Sequence, residues 1–148
     1  ISTEDFDRAL RVNVHGALNC AQAVVPAMTA RGGGRIVNQL SAGAFPAQTV
    51  YGIPKIALPG LTTTPATELG KSGITVNAIA PGMTKSAAGL SLTPPDSPLV
   101  QYVESKTPIH GLADPEELVG ALVMLVSDAG RWMTGQSLNI DGGWVMRN

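Results

Sequence analysis

Three side chains in this sequence have the types and spacing to move a proton. Tyr51 and Lys55 stand four residues apart in a stretch that reads as helix, so both project from one face. Ser41 precedes them in the loop that leaves an apolar strand, with nine residues between it and Tyr51. A free tyrosine has a pKa of ~10 and shuttles protons poorly near neutrality; lowering it by ~3 units takes roughly 4 kcal/mol. An ammonium at ~4 Å supplies about that much at an effective dielectric of ~20. A serine hydroxyl across the same cleft can hold a substrate oxygen while the phenol gives or takes its proton. Taken alone, Tyr51-x-x-x-Lys55 reads more simply as an aromatic packed beside a solvated charge, because such pairs arise by chance in many helices. The elements around it decide between the two.

Those elements sit in a chain of 148 residues, 44% hydrophobic and 14% charged, enough for one domain over 1–148 with a real core. That composition is unlike a disordered segment. The net charge of −1 offers no basic surface for nucleic acid or an anionic membrane. No apolar run approaches the ~20 residues that cross a bilayer, and no signal-peptide pattern opens the chain. Cys20 is the single cysteine, so no internal disulfide forms; it fits a reducing, cytoplasmic setting. With Ala17, Leu18, Ala21 and Val24 around it, Cys20 is expected in the core.

Ser2-Thr3-Glu4-Asp5 is a helix start, with a hydroxyl cap and acids at the positive end of the dipole. Apolar residues from Phe6 to Met28 keep a period near 3.6, and Pro26 is expected to kink that helix near its end. Gly32-Gly33-Gly34 ends it. A dinucleotide-binding loop must follow a strand and open a helix, whereas this triplet follows a helix and opens a strand, so it is a linker. Arg35–Leu40 reads as a buried strand, and the Tyr51 helix runs to about Leu69. Pro54 falls in its first turn at little cost. Pro59 and Pro65 fall inside, at ~3 kcal/mol or more each, and predict a kinked or broken helix. Ile74–Ile79 is a second buried strand, broken by Pro81-Gly82, and Met83–Pro98 reads as a long loop. Further on come a short helix near Leu99–Ser105, a helix opened by Asp114-Pro115, and a last strand over Gln136–Ile140. Alternating strands and helices argue for a parallel α/β sheet, although three strands make a thin one.

The order of motifs resembles the short-chain dehydrogenase/reductase family along essentially the whole chain. The resemblance is carried by Arg11-Val12-Asn13-Val14-His15-Gly16, Gly34–Asn38, Ser41…Tyr51…Lys55, Gly73–Gly82, Asp114–Leu118 and Thr134-Gly135-Gln136…Asp141-Gly142-Gly143. It implies the C-terminal, catalytic part of a Rossmann-like, doubly wound parallel sheet. The N-terminal nucleotide-binding units are then expected to be absent from this chain, which opens at Ile1. It implies an NAD- or NADP-dependent oxidoreductase interconverting a secondary alcohol and a ketone. By the same resemblance Asn13, Ser41, Tyr51 and Lys55 are the catalytic set. Tyr51 is the acid/base, Ser41 polarises the substrate oxygen, Lys55 lowers the tyrosine pKa and binds ribose, and Asn13 holds a water. Pro81, Gly82, Met83 and Ser86, with Tyr51 and Lys55, would bind the cofactor, and Met83–Ile109 would form the substrate loop. A homo-oligomer, dimer or tetramer, is also implied.

His15 is read as a helix-surface residue, His110 as a solvated loop residue, and Trp132 and Trp144 as packing or subunit-contact residues. No cluster has metal-ligand spacing, so no metal site is expected. A second reading stays open: a truncated, non-catalytic family member kept as an assembly or interaction module.

Overall fold

The computed structural model describes residues 1–44, 50–109 and 111–146, the side chain of Leu92 apart. His110 therefore lies outside the described residues, as does part of the segment joining Ser41 to Tyr51. Helix α1 (Thr3–Leu10) passes through a π-helical turn (Arg11–His15) into α2 (Gly16–Ala30). Strand β1 (Gly34–Gln39) leads by way of the Ser41 loop to α3 (Gly52–Leu69), and β2 (Ile74–Pro81) follows. Next come α4 (Ala87–Leu92), α5 (Pro98–Lys106), a 3-10 turn (Pro115–Leu118), α6 (Val119–Val126) and β3 (Ser137–Ile140). Ser2 caps α1 as expected: its Oγ accepts from the Asp5 N–H at 3.1 Å and donates to the Asp5 carboxylate at 2.7 Å.

The three strands form one parallel sheet in the order β1-β2-β3. Gly34 pairs with Ile74 and Gln39 with Ile79, while Ala78 pairs with Ser137 and Pro81 with Ile140. All eight residues of the central strand β2 are buried, as a near-continuous apolar run demands of a strand covered on both faces. Helices α2 and α3 cover one face. Met28, Ala66 and Leu69 pack with Ile36, Ile74 and Val76, while Ala17, Leu58 and Leu61 pack with Leu40, Ala78 and Ala80. Each fully buried aliphatic side chain contributes ~1.5–3 kcal/mol. Residues of the other parity point away from α2 and α3. Among them Asn77 is fully buried, donating to the Met133 carbonyl at 2.8 Å and accepting from the Gln136 N–H at 3.0 Å, which fastens the entry of β3 to β2. Helix α6 packs against β1 and β2 with Leu125 fully buried. At the opposite end of the strands Gly73 has φ 72°, and a Cβ there would lie 2.6 Å from the Gly32 carbonyl oxygen; only glycine permits that approach.

Three sequence expectations are corrected. Helix α3 runs unbroken through Pro59 and Pro65. The carbonyl that Pro65 leaves without its helical donor is that of Leu61, and the Asn38 amide on β1 donates to it at 3.3 Å. Helix α2 contains Pro26 in its last turns and ends at Ala30, where the sequence places its end. The Met83–Pro98 loop holds α4, capped by Ser86, whose Oγ accepts from the Gly89 N–H at 3.1 Å. Cys20 is exposed, because it falls to one side of the half-buried stripe that runs through Ala17, Ala21 and Met28. Trp132 is 96% exposed, which leaves subunit contact as its remaining reading.

Candidate active site

The site forms where β1 and β2 end. The ladder continues one step past β1, with the Leu40 N–H donating to the Ile79 carbonyl at 2.8 Å. Buried Leu40, Ala42 and Ala44, with the Ala44 N–H bonded to the Ser41 carbonyl at 3.1 Å, hold the Ser41 loop rigidly against the sheet. Tyr51 stands at the N-cap of α3 with 51% of its surface exposed, and its side chain and that of Ser41 border the same cleft. One turn on, Lys55 is only 8% exposed. Its Nζ donates to the Gln39 carbonyl at 2.8 Å and stands 5.5 Å from the centre of the Tyr51 ring. The i,i+4 spacing does bring the cation to the phenol, but over the ring face, within cation–π range.

Burial is the larger influence on both groups. Burial pushes Tyr51 above its ordinary value, and the Ser41 side chain pulls it only part of the way back. Burial also pulls Lys55 down, since its ammonium has traded water for a single carbonyl and a ring.

A cleft of about 410 Å3 opens in front of the Ser41–Tyr51 pair, bounded by Pro81, Gly82, Met83 and Ser86. Crevices at the carboxyl ends of parallel strands are where open α/β sheets bind ligands. Ser86 spends one lone pair on capping α4 and keeps its hydroxyl proton. Asn13 occupies the other side of Tyr51: it lies in the π-helical turn and shares a separate hollow with Val50 and Tyr51. π-Helical turns are rare and frequent at functional positions. The Asn13 amide folds back to the Ala9 carbonyl at 3.1 Å, and neither Asn13 nor Lys55 borders the 410 Å3 cleft. His15 is exposed.

Sequence reasoning missed Trp144. Its indole lines a smaller hollow together with Ser41, Tyr51 and Tyr102. The one available signal was its place just after the Asp141-Gly142-Gly143 turn, which closes over the carboxyl end of the sheet. Among the described residues no group of three His, Cys, Asp or Glu side chains is placed to hold a metal ion, and no helix is long and apolar enough to cross a membrane.

Residues 1–145 match the protein family described as enoyl-(acyl carrier protein) reductase. An uncharacterized oxidoreductase of Mycobacterium tuberculosis is 41% identical over 143 residues, covering 97% of this chain and 57% of that protein. The crystal structure of a gluconate 5-dehydrogenase from Burkholderia cenocepacia, in complex with NADP and tartrate, superposes with a TM-score of 0.90 at 32% identity over 97% of this chain and 57% of its own. A 7α-hydroxysteroid dehydrogenase complexed with NADH and 7-oxo glycochenodeoxycholic acid superposes with a TM-score of 0.87 at 32% identity, covering 97% of this chain and 56% of that one. The chain thus spans a little over half the length of the relatives it matches.

Proposed function

The chain belongs to the short-chain dehydrogenase/reductase family, and from that premise we propose that it carries the catalytic residues of an NAD(P)-dependent oxidoreductase interconverting a secondary alcohol and a ketone. The observation that carries this reading is that Ser41 and Tyr51 line one cleft at the carboxyl ends of the strands, with the Lys55 ammonium 5.5 Å from the centre of the phenol ring.

In the reducing direction Tyr51 donates its proton to the substrate oxygen, and in the oxidising direction it accepts one. Its raised pKa keeps the phenol protonated at neutral pH, which suits the donor. Ser41 holds the substrate oxygen beside that proton. Lys55 stabilises the phenolate as it forms, its positive charge facing the ring. Asn13, across Tyr51 from the cleft, supports a water that reconnects the phenol to solvent.

The nicotinamide end of the coenzyme fits the residues present. Pro81, Gly82 and Met83 give a partly apolar wall and Ser86 a hydroxyl, while Lys55, behind Tyr51 and outside the cleft lining, keeps two ammonium donors beyond the one used on Gln39. Tyr51, Lys55, Pro81, Gly82, Met83 and Ser86 would hold it, and when bound it supplies or receives the hydride. A small uncharged substrate, a cytoplasmic setting and a homo-oligomer, dimer or tetramer, complete the reading.

Tyr51→Phe tests it. In a longer protein that joins this chain to a nucleotide-binding half, turnover of a secondary alcohol should fall by roughly 10²–10⁴, the usual worth of a positioned acid/base. A correctly folded Phe variant, checked by circular dichroism, that keeps the parent rate would remove Tyr51 from the chemistry.

A further inference from the structure

Beside the Ser41–Tyr51 pair lies a hollow of about 250 Å3, below the ~300–1,000 Å3 usual for ligand pockets. Ser41 and Tyr51 form one side, and Met83, Leu99, Tyr102 and Trp144 form much of the rest. Leu99, Tyr102 and Val103 share one face of α5 by their spacing, and all three border the hollow. Among the described residues, no charged side chain lines it.

The Trp144 side is braced. Asp141 Oδ1 accepts from the Gly143 N–H at 3.0 Å, its Oδ2 from the Val145 N–H at 2.9 Å, and its backbone carbonyl from the Trp144 N–H at 3.2 Å. The Asn139 amide adds a bond to the Val145 carbonyl at 2.8 Å. These bonds hold the segment following β3 in one conformation, and the indole reaches over to the Ser41 loop. A Cβ added to Gly43 would stand 3.2 Å from the ring edge. An aromatic plane, the face of α5 and a second aromatic therefore flank a hollow, open to solvent past Leu99 and Tyr102, whose hydroxyl-bearing side is Ser41 and Tyr51.

We propose that this hollow receives the body of the substrate, with Trp144 as a specificity-determining residue, and that the substrate class is compact, uncharged alicyclic or aryl secondary alcohols and their ketones. The proposal rests on the oxidoreductase reading above and deepens it. At ~30 Å3 per water-sized group the hollow admits about eight such groups, a single ring and its carbinol carbon. A flat ring stacks on the indole and Tyr102. A carboxylate or phosphate placed against the indole gives up part of its hydration and meets no cation among the described lining residues, so charged substrates of equal size bind less well.

Ligand-observed saturation-transfer NMR on the whole 148-residue chain compares cyclohexanol with lactate, secondary alcohols of similar size that differ in charge. Cyclohexanol should bind at least about tenfold more tightly, and Trp144→Ala should weaken it by about tenfold, with Trp144→Phe retaining most of the affinity. Lactate binding as tightly as cyclohexanol, or cyclohexanol binding that is indifferent to Trp144→Ala, overturns the proposal. Should the alanine variant fail to fold, the comparison of the two alcohols on the parent chain decides alone. Coenzyme-dependent turnover separates the two claims. With this chain joined to a nucleotide-binding half that holds the coenzyme, cyclohexanol that binds with the Trp144 dependence but is never oxidised counts against the hydride-transfer reading and leaves the site standing. Oxidation of lactate in preference to cyclohexanol upholds the hydride-transfer reading and sinks the site.

Discussion

At Lys55 and Tyr51, burial works on two opposite charges and sets opposite responses to pH. Lys55 has a folded-state pKa below its ordinary ~10.4, so between the two values the folded chain holds fewer protons than the unfolded one. Stability therefore rises with pH through that window, and below it the cost of the buried ammonium is fully in force. Tyr51 has a folded-state pKa above ~10, so the folded chain keeps the extra proton and stability falls as pH climbs past ~10. Urea titrations across this alkaline range should show Lys55→Met flattening the rise and Tyr51→Phe removing the fall; an unchanged slope in Lys55→Met means its ammonium is not desolvated. The Ser41 side chain makes a second expectation at this scale. The phenolate absorbance that Tyr51→Phe abolishes should appear above pH ~10 and move higher still in Ser41→Ala. A shift downward would show that Ser41 favours the neutral phenol. The spacing of Tyr51 and Lys55 was legible in the chain because it is a property of one helix. The lysine's partner was not: Gln39 lies at the end of β1, and only folding brings its carbonyl to the ammonium.

Helix α3 shows how an element survives residues that should break it. Pro65 removes the donor for the Leu61 carbonyl, and Asn38, 23 residues earlier on β1, supplies another. The same amide bonds Thr62 Oγ1 at 3.0 Å, and Thr62 in turn donates to the Leu58 carbonyl at 2.9 Å. Asn38→Ala should cost ~1–3 kcal/mol, the penalty of leaving buried groups unpaired. The cost should shrink when Pro65→Ala restores the helical N–H, and a double-mutant cycle measures the coupling. Strict additivity would mean that Asn38 does not serve the carbonyl freed by Pro65. Helix α4 was hidden for a related reason. Its six residues are too short for a period to declare itself, and the start lies in the Ser86 cap, which local composition masks.

Across the whole molecule, apolar side chains stand in water on several faces: Val12 and Val24 on the first helical run, Ile53 and Ile56 on α3, and Val119, Val123 and Val126 on α6. Among the described residues β1 pairs with β2 alone, leaving its other edge free. These surfaces suit a covering partner, whether the rest of a longer chain or another subunit. The coenzyme makes the measurable case. The described residues hold the nicotinamide-end groups, but no glycine-rich turn among them leads from a strand into a helix to meet the pyrophosphate. Calorimetry on the 148-residue chain should find NADH or NADPH binding no tighter than about 1 mM, roughly 4 kcal/mol. Micromolar binding would show that the cleft holds the dinucleotide unaided, and would end the reading of the chain as an assembly module.

By itself the sequence determined the alternation of helices and strands, the buried central strand and the pairing of Tyr51 with Lys55, because each is written in spacing over a few residues. Tertiary structure decided the rest: that Asn38 rescues a proline-bearing helix, that Lys55 faces a ring and the Gln39 carbonyl, and that Trp144 closes on Ser41 and Tyr51. The reason is physical. Periodicity reports which face of a segment is apolar, whereas a hydrogen bond or an indole contact between residues far apart in the chain exists only once the sheet has set their distance.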